Sequence, residues 1–141
     1  MNSVFLDTCG LIALVNADDQ WHRKAEIVWA ALWESAARLI TSSLVVIELA
    51  DGLSRVHHRG LAIQLVDALE RSERVEIVQV DRQLARLGWQ LFRDRADKDW
   101  GMTDCVSMSL MTGRRIHSVF TADRHFEQAG FEILLREPLG S

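Results

Sequence analysis

The sequence predicts a three-layer α/β/α domain around a central, mostly parallel sheet. Two observations carry this expectation. Short apolar runs alternate with helical patterns along the chain, and strands separated by helices in that order form a parallel sheet covered on both faces. The one proline, Pro138, stands at the far C-terminal end, so no linker, repeat or low-complexity segment interrupts the pattern. Hydrophobic content of 48% and charged content of 26% over 141 residues fit a single globular domain spanning residues 1–141, long enough to bury a core.

Taken in order, Val4-Phe5-Leu6 reads as a short buried strand that stops at Asp7. A brief apolar helix follows over 9–15. A longer one runs over about 20–37, with Trp29 and Trp33 one turn apart on the same face. Residues 38–41 form a second strand. Ser42 or Ser43 can cap the helix that begins there and runs to about residue 56. Leu61, Leu65, Val66 and Leu69 make the apolar stripe of another helix, ending near Arg71. A third strand covers 75–80, and the helix over 82–95 turns Leu84, Leu87 and Leu91 inward. A polar loop with Asp94, Asp97 and Asp99 leads to a helix over 103–111. A fourth strand at 118–121, a short helix at 123–129 and a last strand at 131–135 complete the chain.

Bulk properties narrow the function. No apolar stretch reaches the roughly 18 residues of a membrane span, and the N-terminus lacks the basic and apolar regions of a signal peptide. Two cysteines, Cys9 and Cys105, make neither a disulfide framework nor a zinc site and suit a reducing cytoplasm. A net charge of −4 excludes binding nucleic acid mainly through bulk positive charge. It does not exclude RNA. With four carboxylates set aside as metal ligands, 16 acidic residues face 16 basic ones, and a bound cation adds its own charge.

Four acids stand where a bland role fits poorly. Asp7 and Asp123 follow the first and fourth strands, at the edge where open α/β sheets bind ligands. Glu48 is the one charge between Thr41 and Ala50, and Asp104 is the one charge in the apolar start of its helix. Each has a structural reading too. Asp7 and Asp123 can be helix caps, Glu48 can point outward beside Asp51, and Asp104 suits a first helical turn. Burying a carboxylate costs several kcal/mol unless it is paired or holds a metal. No Lys or Arg stands one helical turn from Glu48 or Asp104. Carboxylates suit Mg²⁺ and Mn²⁺, and several of them converging suit phosphodiester hydrolysis.

Four segments in this order and spacing resemble the PIN-domain family, and within it the VapC toxins of toxin–antitoxin pairs. They are Val4-Phe5-Leu6-Asp7-Thr8, Val46-Ile47-Glu48-Leu49, Met102-Thr103-Asp104-Cys105-Val106-Ser107 and Phe120-Thr121-Ala122-Asp123-Arg124-His125-Phe126. The resemblance implies a five-stranded sheet and a ribonuclease that leaves 5′-phosphate and 3′-hydroxyl ends. Its catalytic and metal-binding acids would be Asp7, Glu48, Asp104 and Asp123, holding one or two Mg²⁺ or Mn²⁺ ions. Thr8, Thr103 and Thr121 are candidate orienting hydroxyls, and Asp99 is a further acid close by. A homodimer and a cognate antitoxin protein are the implied partners.

Two rivals differ from that reading. One keeps the nuclease but assigns it to RNA processing without an antitoxin. The other is a metal-binding phosphoacceptor module, which needs an Asp after a central strand and a nearby Lys. The third strand ends at Asp81, but no strand-end Lys matches. Arg55, His57, His58 and Arg59 read as a solvated helix end before an RNA-facing patch. Arg114 and Arg115 suit a helix C-terminus. Trp21, Trp29 and Trp33 read as core or subunit-interface residues, and neither cysteine has the basic neighbour of a nucleophile.

Overall fold

The computed structural model of the chain describes residues 2–137; Pro138 lies outside them. The elements are β1 (Ser3–Leu6), α1 (Thr8–Val15), α2 (His22–Glu34), β2 (Arg38–Ser42), α3 (Ser43–Gly52) and α4 (Val56–Arg71). They continue with β3 (Val75–Val78), α5 (Arg82–Asp94), α6 (Met102–Arg114), β4 (Ser118–Phe120), α7 (Arg124–Gln128) and β5 (Glu132–Ile133). All five strands pair in parallel, in the order β3-β2-β1-β4-β5. The expected mostly parallel sheet is therefore wholly parallel.

This order makes the chain reverse direction across the sheet at β1. Strands are added on one side through β3, then on the other through β4 and β5. Because such crossovers are right-handed, reversal puts α1 to α4 on one face and α5 to α7 on the opposite one. The contacts agree, with α1 on α2 and α3, α3 on α4, α5 on α6, and α6 on α7. Central strands buried on both faces need continuous apolar runs. Val4, Phe5 and Leu6 in β1 and Val119 and Phe120 in β4 meet that need, each at most 4% exposed.

Two glycines set helix distances. A Cβ on Gly10 would stand 2.1 Å from the Phe120 carbonyl oxygen, so only glycine lets α1 lie this close to β4. A Cβ on Gly88 would meet Val106 Cγ2 at 2.5 Å, which presses α5 onto α6.

Two local expectations are corrected. The helix expected to reach residue 56 stops at Gly52, and a separate helix starts at Val56. Leu53 is buried between them, its N–H bonded to the Leu49 carbonyl. Leu87 does not face inward with Leu84 and Leu91, since it is 53% exposed. The buried stripe of α5 runs through Gly88 instead; Leu87 lies to one side of it, and the exposed, stacked pair Trp89 and Phe92 lies to the other.

Candidate metal centre

The strand order reverses at β1, and the carboxyl ends of β1 and β4 at such a reversal are where doubly wound sheets place ligands. Asp7 lies between β1 and α1 and is 4% exposed. Its side chain makes no capping hydrogen bond to α1. Instead, the Thr121 hydroxyl donates to Asp7 Oδ2 at 2.8 Å, across 114 positions of sequence. The buried Thr121 Oγ1 also accepts the Asp123 N–H at 3.1 Å. One hydroxyl just past β4 thus ties the two strand-end acids into a single arrangement.

Asp104 is in the first turn of α6, where its Oδ2 accepts the Gly101 N–H at 3.1 Å. Asp123 caps α7, its Oδ1 accepting the His125 N–H at 2.9 Å. The first-turn reading of Asp104 and the cap reading of Asp123 therefore hold locally, and both carboxylates still approach His125. Glu48 lies on the exposed side of α3, with Val45 and Leu49 buried on the other side.

The electrostatics are those of crowded, poorly solvated acids. Burial pushes the Asp7 carboxyl up from 3.8 to about 7. The Thr121 hydrogen bond opposes this, and the charges of Asp104, Asp123 and Glu48 add to it. Burial, then the Asp123 charge, also raises the Asp104 pKa, while the Gly101 N–H and His125 pull it down. All four sequence-selected acids belong to this region, Glu48 through its charge on Asp7.

His125 was not singled out as a site residue. Its Nδ1 lies 3.4 Å from Asp104 Oδ2 and 3.4 Å from Asp123 Oδ1. Potential ligand atoms of Asp104, Asp123 and His125 all lie within 4.8 Å of one another. Asp7 and Glu48 stand outside this tight triad. The one sequence signal for His125 was its position two residues after Asp123, which by itself also suits a histidine packed under a short helix.

The donor set fits a hard divalent cation. Among the described residues no Lys or Arg pairs with any of the four acids. Two buried hydroxyls, Thr8 Oγ1 and Ser107 Oγ, have no hydrogen-bond partner among the described residues. Thr8 follows Asp7 in sequence, and Ser107 lies one helical turn after Asp104. Buried polar atoms are seldom left unpartnered in a completed structure. A cation and its oxygen ligands are a natural completion of such a site.

The remaining expectations sort clearly. Asp99 is exposed, and Asp81 caps α5 by accepting the Leu84 N–H at 2.8 Å. Cys9 beside Asp7 and Cys105 beside Asp104 both have thiols raised by burial, the wrong direction for nucleophiles. Arg114 does not merely end its helix; it forms a two-pronged pair with Glu76, at 2.8 and 3.0 Å. His57 and His58 lie ring to ring, 4.1 Å apart, at the start of α4. Trp29 packs on Phe120, whereas Trp33 is 46% exposed. The two indoles line an apolar groove of about 460 Å³ with Leu65, Leu69 and Val75, away from the acids.

The chain as a whole is similar to known proteins. The chain is 29% identical over 129 residues to the 23S rRNA-specific endonuclease VapC20 of Mycobacterium tuberculosis, covering 91% of this chain and 95% of the relative. The crystal structure of Mycobacterium tuberculosis VapC20, described as a Sarcin-Ricin loop cleaving toxin, superposes with a TM-score of 0.81 at 27% identity. That match covers 92% of this chain and 96% of the other. DNA-bound VapBC from Salmonella typhimurium shares the fold, with a TM-score of 0.69 at 20% identity over 94% of this chain and 97% of the other. The sequence profile of the PIN domain matches residues 4–132, and the chain belongs to the PIN-domain family.

Proposed function

We propose that this chain is a Mg²⁺- or Mn²⁺-dependent endoribonuclease, a single nuclease domain over residues 1–141 and the toxin of a toxin–antitoxin pair. The observation that carries the reading is Asp7. It is a buried carboxylate with a pKa raised to about 7, held only by Thr121 and surrounded by three more acids. A protein that needed Asp7 only for folding would pair it with a cation or replace it with an apolar residue. Likeness to VapC20 over nearly the full length of both chains supplies the substrate class, RNA, with ribosomal RNA the first to be tested.

A bound divalent cation supplies charge to stabilise the phosphate being cleaved and acidifies the attacking water. Asp7 and Asp104 are the direct ligands in this reading. Asp123 and Glu48 complete the set or orient the attacking water, and Thr121 holds Asp7 in place. The products carry 5′-phosphate and 3′-hydroxyl ends. The protein works in the cytoplasm as a homodimer, and a cognate antitoxin inhibits it. Two surfaces suit such partners, the exposed Trp89–Phe92 pair on α5 and the groove between α2 and α4. Among the described residues, no helix is long and apolar enough to cross a membrane.

The test is RNA cleavage with Mn²⁺ present. Wild type cleaves, EDTA stops it, and Asp104→Asn is inactive while keeping the wild-type circular dichroism spectrum. Near-full activity of the folded Asp104→Asn protein would remove that acid from the mechanism.

A further inference from the structure

We propose that His125 is a nitrogen ligand of the cation, binding through Nδ1 beside Asp104 and Asp123. The proposal rests on the reading of the acids as metal ligands and adds a donor of a different kind.

Three observations converge on this nitrogen. First, Nδ1 is buried and has no hydrogen-bond partner among the described residues, although the side chain as a whole is 34% exposed. The ring therefore turns its inner nitrogen toward the acids and keeps an edge toward solvent. Second, the two 3.4 Å separations to Asp104 Oδ2 and Asp123 Oδ1 do not make hydrogen bonds. They are close to the spacing of adjacent ligands on a six-coordinate ion. Bonds of about 2.1 Å at right angles put neighbouring donors about 3 Å apart, so drawing these atoms onto a cation takes shifts of a few tenths of an ångström. Third, the donors are held by backbone contacts. Asp123 Oδ1 takes the His125 N–H, and Asp104 Oδ2 takes the Gly101 N–H. Each oxygen retains a lone pair for a metal.

The chemistry sets the protonation state and the ion. Coordination through Nδ1 requires the neutral tautomer with its proton on Nε2. A nitrogen donor suits transition ions better than Mg²⁺, which favours oxygen ligands and keeps its waters. The triad thus gives this site a bias toward Mn²⁺ that four carboxylates alone would not. The competing role for His125 is positioning, with an Nδ1–H shared between the two carboxylates and no bond to the ion.

Pulsed electron paramagnetic resonance of the full chain, loaded with less than one equivalent of Mn²⁺, separates the two roles. Wild type should show ¹⁴N coupling from a directly bound imidazole. His125→Ala should lose that coupling and bind Mn²⁺ about 10- to 100-fold more weakly by calorimetry, with Mg²⁺ affinity changed much less. Wild type carrying ¹⁵N-histidine should replace the ¹⁴N pattern with a ¹⁵N one, a result that depends on no variant. Mn²⁺ bound without nitrogen coupling, or coupling that survives His125→Ala, overturns His125 as a ligand and leaves the acidic site standing. No Mn²⁺ binding by wild type overturns both readings, and calorimetry alone distinguishes that case.

Discussion

Asp7 and Glu76 are both carboxylates at the sheet, and the protein treats them in opposite ways. Glu76 lies near the start of β3, where Arg114 grips it with two hydrogen bonds and Arg38 stands 4.0 Å away. The Arg114 hydrogen bonds hold its carboxyl below the usual range. Asp7 lies at the opposite, carboxyl edge, where burial and three neighbouring acids raise its pKa to about 7. The amino edge supplies its own counter-charge. The carboxyl edge leaves a counter-charge to come from outside. A carboxylate that the fold itself neutralises is structural, whereas one kept ionisable and unpaired serves a ligand.

The sharpest way to break this comparison is to remove the charge at Asp7. Asp7→Asn keeps the size and the acceptor for Thr121 but loses the charge that holds a cation. Mn²⁺-dependent RNA cleavage should fall by at least about 100-fold, the upper end of what loss of an outer-shell partner costs a metal site. A folded variant with more than a tenth of wild-type activity would make Asp7 a structural residue like Glu76.

A second expectation concerns pH and stability without metal. The Asp7 pKa is raised on folding, so between its ordinary value near 4 and about 7 the folded state holds a proton that the unfolded state has released. Stability of the metal-free protein therefore falls as pH rises through that window and levels off above it. With Asp7 at about 7 against 3.8, the loss from this one group is at most on the order of 4 kcal/mol. Melting curves in EDTA at pH 4.5 and 7.5 would show it, since Asp7→Asn should melt above wild type at the higher pH and close to it at the lower. Saturating Mn²⁺ should raise the wild-type melting temperature at pH 7.5 and leave the variant nearly unmoved. Equal pH profiles for the two proteins would show that Asp7 is not strained.

The smallest effect belongs to the other edge. Glu76→Gln should destabilise by no more than about 1 kcal/mol, because its ion pairs are half exposed and screened. That loss should shrink in high salt, and Mn²⁺-dependent cleavage should not change. A cleavage defect in Glu76→Gln would show that the amino edge also serves the site.

Much of this was legible in the chain because the signals are local. Element order follows from short-range periodicity, so β1, β2 and β4 and most of the helices lie where the sequence puts them. The acids of interest stood out as lone charges at strand ends or in apolar helix starts. Helix ends and facing were less secure. The break at Leu53 and the exposure of Leu87 depend on what packs opposite them, and in α5 the close approach at Gly88 decides which stripe turns inward.

The sequence by itself determined which residues are charged, which segments are strands, and that Asp7 and Asp123 end two of those strands. Tertiary structure alone decided that those two strands are neighbours. Nothing near residue 7 specifies β4 as its partner; that follows from the strand order and the right-handed crossovers on two faces. Adjacency then let Thr121 reach Asp7 across 114 positions and placed the α6 and α7 starts together, with His125 facing both Asp104 and Asp123. The physical reason is range. Periodicity and capping act over a few residues, whereas burial, Coulomb interaction and ligand geometry depend on distances in space that only the packed chain defines.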